Sequence, residues 1–419
     1  MTLQDHIVVN WVIAMKTKHK ILSLSIIVLA HLTLIAAEPA TVIDAAKYKS
    51  LQAALDAVPK GGALVKLPPG KFELTEPLHV HTEDTRLEGA GTATHLINKN
   101  EKGEPALLLR AKDYAKSKKM LWRIQLGNFR ISGNPKSGDG LLAEGINEIF
   151  VQGVSIDHNG GHGINLVNCY EDPRVADNLL TYNAKAGLNI QGGHDIVVNA
   201  NQFEENNDGL RCLDGFNLTM NGNIFDDHLR HGVVIENTYG SVLSGNMIEE
   251  CNGTAIILDR DCYGITISAN VIAHELGGGV DLRDAWGCAV SANTFTIVHQ
   301  FGVRVGKDSG RIAITGNAFC NSHIGNGVRR VEGKGKTLWH NDEGTGVVLN
   351  ETKDVVITGN TFTGMSREGV KSTGKCARII VLGNIFNDLS RRSDKKLPAV
   401  DLPGALNTIV KDNLKPPGH

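Results

Sequence analysis

The chain has 419 residues, with 43 lysines and arginines against 45 aspartates and glutamates and a formal net charge of -2. So even a balance supplies no general field for nucleic acid, and no local basic patch makes up for it, which excludes that class of partner. Aromatic residues make up only 5%, glycines number 47, and Val, Ile and Leu dominate the 41% hydrophobic fraction. This composition argues for a β-rich chain and against a helical bundle.

In chain order, M-K-T-K-H-K (15–20) is a positive region and I-L-S-L-S-I-I-V-L-A-H-L-T-L-I-A-A (21–37) an apolar run ending in small residues. Residues 1–37 therefore read as a signal peptide, with Met15 as an alternative start and an uncleaved anchor as the rival reading. The expected location is secreted or periplasmic, with membrane contact only through this segment. Residues 38–110 read as an N-terminal cap and first coils. Within them, Y-K-S-L-Q-A-A-L-D-A-V-P (48–59) has helical apolar spacing, and 61–74 reads as strand, turn, strand.

From 111 to 413 a repeat governs the chain. Asn201, Asn223, Asn246, Asn270, Asn293, Asn317, Asn360 and Asn384 recur at gaps of 22, 23, 24, 23, 24, 43 and 24 residues, inside phrases such as N-G-N-I-F and T-G-N-T-F. The long gap marks a loop insertion at 320–345, and 414–419 is a tail. Strands of three to five residues at this period cannot close a sheet locally but can stack coil on coil. The predicted fold class is all-β, a right-handed parallel β-helix solenoid with an N-terminal capping helix over its open end. The asparagines are then a structural turn ladder, and Phe203, Phe225, Phe295, Phe319, Phe362 and Phe386 an inward stack. Residues 398–413 form a last, irregular coil. Seven cysteines without a C-x-x-C pair leave at least one thiol unpaired within the chain and offer no zinc spacing; most are expected to be buried.

The opening S-L-Q-A-A-L-D-A-V-P-K-G-G-A-L-V-K-L-P-P-G-K-F (50–72), then L-E-G-A-G (87–91) and the G-N-x-F coils, resemble the pectate-lyase-like β-helix superfamily over about residues 45–413. That superfamily holds lyases, polygalacturonases, epimerases and phage tailspikes, so the fold does not choose a reaction. The resemblance implies an active site on the sheet following the asparagine turn. Period-two alternation there turns Asn165, Asn189, Arg211, Val234, Ile257, Asp281, Arg304, Val348 and Lys371 outward, with Gln191, Glu236, Asp259 and Arg283 two residues on.

The central coils thus gather both signs of charge on one side. Candidate catalytic residues are Asp208, His231, Glu236, Asp259 and Asp281; candidate substrate-binding residues are Arg211, Arg283, Arg304, Lys307 and, in the insertion, Trp339 beside His340. The plain alternative is a solvated face whose charges pair between rungs. N-N-D-G (206–209) and G-V-R-V-G-K (302–307) are similar to polygalacturonase phrases, implying a catalytic Asp208 and a carboxylate-binding Arg304. The next coil, however, has L-R-H-G (229–232) where that family carries paired aspartates. Glu236 and Asp259, one rung apart, suit a retaining carboxylate pair, and Asp259 with Asp281 an inverting one. A lyase would instead use His231, Lys307 or an arginine as base, with Ca²⁺ held by Asp259, Asp281 and Asp284. No other cofactor or metal is indicated.

The expectation is an exported enzyme cleaving glycosidic bonds of an acidic polysaccharide or oligosaccharide by hydrolysis or β-elimination. The alternative is a non-catalytic glycan-binding or periplasmic accessory β-helix protein, whose charges would pair off among themselves.

Overall fold

The computed structural model describes residues 41–320, 344–391 and 394–415. The signal segment, most of the 320–345 insertion with Trp339 and His340, and the final residues lie outside the described residues. No described helix is long and apolar enough to cross a membrane.

Successive coils stack in parallel. One face is a 13-stranded sheet running from Leu78–Val80 to Val400–Asp401 in strict chain order; 28 further strands join in a sheet around the remaining faces, and Leu121–Trp122 and Ile146–Asn147 make a separate pair. A representative coil contributes Asp208–Phe216 to the first sheet and Thr219–Asn221 and Ile224–Asp226 to the second. Each strand pairs with its counterpart one coil away, as Leu210 with Val233 and Phe225 with Ile248. Three-residue strands are viable only because every rung is bonded above and below.

The asparagine ladder is as expected, and it extends from Asn178 to Asn413. Asn270 is typical: its Nδ2 donates to Asn293 Oδ1 at 3.0 Å and to the Leu243 carbonyl at 3.0 Å, while its Oδ1 accepts from the amide and Nδ2 of Asn246 at 3.0 and 2.9 Å. Two residues on, the phenylalanines stack inside, with ring centroids 4.5 Å apart for Phe203 and Phe225 and 4.6 Å for Phe319 and Phe362. Ile248 and Ile272 fill the two rungs without a ring, keeping the stack apolar.

Most rungs of the 13-stranded sheet carry a small residue beside their first position for a steric reason. A Cβ on Gly209 would lie 2.5 Å from Phe225 Cδ1 and 2.6 Å from the Gly232 carbonyl oxygen, and Gly302 meets Phe319 in the same way. The phenylalanine stack therefore dictates where the sheet starts, and with it the register of the outward residues.

The helix Leu51–Asp56 is capped by Ser50, whose hydroxyl accepts from the Ala53 amide. It lies against the first strand of the 13-stranded sheet. There Gln52 accepts from the His79 amide at 2.8 Å and donates to the His79 carbonyl at 3.2 Å, satisfying an edge that would otherwise be open to another strand. All seven cysteines are free thiols, six of them buried and Cys320 partly exposed.

Candidate functional site

The expected outward row exists in register: Asn165, Asn189, Arg211, Val234, Ile257, Asp281, Arg304, Val348 and Lys371 are linked rung by rung. Glu236 and Asp259 face each other on adjacent rungs two residues further along. Outward does not mean exposed, however, because Val234, Ile257 and Asp281 are all buried. Long neighbours cover them: Arg211, one rung before Val234, reaches past it to Glu236, and Asp281 lies beneath two arginines.

Asp208 opens its strand, with its side chain 2% exposed. Oδ1 accepts from Arg230 Nε at 2.8 Å and the His231 amide at 3.2 Å; Oδ2 accepts from Arg211 Nη1 at 3.2 Å and from Arg230 Nη2. Burial opposes its ionisation, but Arg230, Arg211 and the His231 amide outweigh it and hold the carboxyl below its ordinary value. Arg211 continues to Glu236 Oε2 at 2.9 Å, whose other oxygen lies 3.5 Å from Arg260.

A second network repeats the design. Asp281, 1% exposed, accepts from Arg283 Nε at 2.7 Å and from Arg304 Nε and Nη2 at 2.8 and 2.5 Å. Arg283 also lies 3.5 Å from Asp259, and the Arg304 guanidinium sits 4.3 Å over the Phe301 ring. The carboxylates form a lower layer, while the arginines remain 30% exposed at Arg211, 47% at Arg230, 62% at Arg260, 42% at Arg283 and 36% at Arg304. In both networks each arginine thus stands nearer the solvent than the carboxylate it pairs with, although Asp259 remains 31% exposed.

His231 lies two residues before its strand, Val233–Glu236, directly across from Asp208. Burial, together with Arg230, Arg283 and Arg211, depresses its basicity, with Asp208 opposing. Its Nδ1 accepts from the Thr254 amide at 3.0 Å, so the neutral ring carries its proton on Nε2. His162 accepts from Ala186 in the same manner at 3.1 Å. Lys307 is exposed in the turn beyond Phe301–Val305. The three aspartates named for calcium each have partners: both Asp281 oxygens are taken by arginines, Asp259 Oδ1 accepts from the Arg260 amide at 2.9 Å, and Asp284 Oδ2 accepts from the Asp261 amide at 2.9 Å.

A cluster missed in the sequence lies in the turn that leads into this sheet. Glu205, Asp227, Leu229, Glu250, Asn252, His274 and Leu276 line an open cavity of about 320 Å³. Glu205, Asp227, Glu250 and His274 hold equivalent left-handed positions, with φ of 49°, 52°, 56° and 56°. Burial and the neighbouring carboxylates raise the Glu249 carboxyl and push that of Glu250 up to about 7. The signal was present: E-E, D-D and E-E at 204–205, 226–227 and 249–250 recur one coil apart, each following the inward apolar residue.

The family described as the right handed beta helix region matches this chain over residues 116–272, 208–319 and 231–395, together more than half of its length. The chain belongs to the right-handed β-helix family. No curated protein is detectably similar to it in sequence. Among solved structures, the catalytic unit of a GH87 α-1,3-glucanase from Streptomyces thermodiastaticus is 13% identical over 91% of this chain and 70% of its own, with a TM-score of 0.58. A family 28 exopolygalacturonase from Yersinia enterocolitica is 12% identical over 90% of this chain and 79% of its own, with a TM-score of 0.54. ORF18 of Geobacillus virus E2 is 16% identical over 67% of this chain at a TM-score of 0.48, and the chain spans 57% of its length. At these identities the likeness establishes the β-helix fold.

Proposed function

We propose that this β-helix protein is carbohydrate-active, and that the 13-stranded face between Asp208 and Lys307 engages an acidic polysaccharide or oligosaccharide. The observation that carries this reading is the layering of the face: each exposed guanidinium is held from below by a more buried carboxylate, leaving N–H donors for an anionic ligand. Pre-ordered arginine forks suit uronate or sulfate groups, because the side-chain entropy of holding them is already lost. That both structural relatives with the higher TM-scores are named for glycan cleavage supports the same class by analogy of fold.

The reaction we propose is hydrolysis, with Glu236 and Asp259 as the working carboxylates. They face each other across one rung, and a rung of about 4.8 Å is close to the separation of a retaining pair. β-Elimination has fewer candidate bases: His231 holds its acceptor nitrogen against the Thr254 amide, and Arg211, Arg283 and Arg304 are tied to carboxylates, which leaves the exposed Lys307. Asp208 and Asp281 act in this proposal as positioning residues for the arginines. Export through the 1–37 segment belongs to the same proposal.

One observation favours a second reading, a non-catalytic glycan-binding protein: the charges of the face do pair among themselves. Purified protein incubated with pectin, alginate and glycosaminoglycans distinguishes the cases. New reducing ends without unsaturated-uronate absorbance support hydrolysis, both signals together indicate a lyase, and binding without either leaves the binding protein.

A further inference from the structure

We propose that Glu249, Glu250 and His274 form a binding site for a first-row divalent transition metal ion, of which Zn²⁺ is the reference case, in the turn preceding the charged sheet. The three side chains come from adjacent coils and offer donor atoms that all lie within 4.8 Å of one another. His274 Nδ1 is 3.8 Å from Glu249 Oε2 and 3.8 Å from Glu250 Oε1. Those are ion-pair rather than hydrogen-bond separations. Two ligand atoms bound tetrahedrally to one zinc ion at about 2.0–2.1 Å lie about 3.4 Å apart. A small side-chain adjustment therefore closes the site around one ion.

The surroundings fit a cation. Glu205 and Asp227 occupy the equivalent turn positions on the preceding coils and line the same cavity, where Leu229 and Leu276 supply apolar walls. Among the described residues, no lysine or arginine pairs with Glu205, Asp227, Glu249 or Glu250; the salt-bridge partner of the last two is His274. An imidazole with two carboxylates suits zinc, manganese or ferrous iron, whereas calcium and magnesium prefer all-oxygen sets. Three protein ligands leave a further coordination position facing the cavity, open to water. Because Glu249 and Glu250 lie on one coil and His274 on the next, the ion would also staple the two coils.

The test uses the full chain, stripped with chelator and titrated with Zn²⁺ by calorimetry, with bound metal counted after dialysis. One equivalent should bind and raise the unfolding temperature. His274→Ala and Glu250→Gln should each weaken that binding by about thirtyfold or more and remove the thermal shift, while far-ultraviolet circular dichroism stays that of the native protein. Should His274→Ala fail to fold, Glu250→Gln, which keeps shape and volume, decides alone. Absence of a stoichiometric equivalent in the wild type overturns the site, and so does binding that Glu250→Gln leaves unchanged.

Discussion

Replacing Asp208 by asparagine isolates what the buried carboxylate does. The shape of the side chain is kept, but the charge is lost and an NH₂ group is turned toward guanidinium donors. In the native protein the two carboxylate oxygens accept four hydrogen bonds, from Arg230 twice, Arg211 and the His231 amide. Removing one partner of a fully buried ion pair costs about 3–5 kcal/mol, and an exposed pair is worth about 0–1 kcal/mol. Asp208 is buried but Arg211 and Arg230 are 30% and 47% exposed, so water recovers part of their solvation and the expected loss is about 2–3 kcal/mol. Urea unfolding at neutral pH reads this directly. The sign of the pH dependence is also fixed. Because the folded carboxyl is held below the ordinary 3.8, its stabilisation is complete above that value and is lost as pH falls through the lower folded value. Wild type and Asp208→Asn should therefore converge in acid. A loss below about 0.5 kcal/mol at neutral pH, or a difference that persists unchanged in strong acid, refutes the reasoning.

Asn270→Ala removes four ladder bonds and leaves the Asn246 amide without its partner, which should cost about 3–4 kcal/mol by the same urea measurement. Arg211→Gln and Arg304→Gln should each weaken binding of an acidic polymer by about five- to tenfold in affinity electrophoresis, with the loss shrinking as salt is raised. In the native protein Cys320 should react first with a thiol reagent. Cys169, Cys212 and Cys262, with thiols pushed up to about 12 by burial, should react only after unfolding.

Much of this architecture was legible because a solenoid writes its contacts into its period. The coil repeat placed the asparagine ladder, the phenylalanine stack and the outward row of Arg211, Asp281 and Arg304, since each contact is made to a residue one period away. What alternation could not supply was depth. It turns Asp281 outward but says nothing of Arg283 and Arg304 lying over it, nor that Asp208, at a turn, is almost wholly enclosed. The metal-ligand cluster escaped for a different reason. Glu250 and His274 have left-handed backbones in a turn, where strand periodicity assigns no face, and only the recurring acidic doublets marked the place. A second ladder, Asn159, Asn183 and Asn206, was hidden likewise, because it passes to His228 and loses its asparagine signature.

The central claim is that the arginine face recognises an anionic glycan, and calorimetric titration of the protein with matched acidic and neutral oligosaccharides at two salt concentrations tests it most directly. Saturable binding of an oligouronate or sulfated oligosaccharide that weakens with salt and with Arg304→Gln is expected, with no binding of the neutral chain. Equal affinity for both, or acidic-glycan binding untouched by Arg211→Gln and Arg304→Gln together, would contradict it.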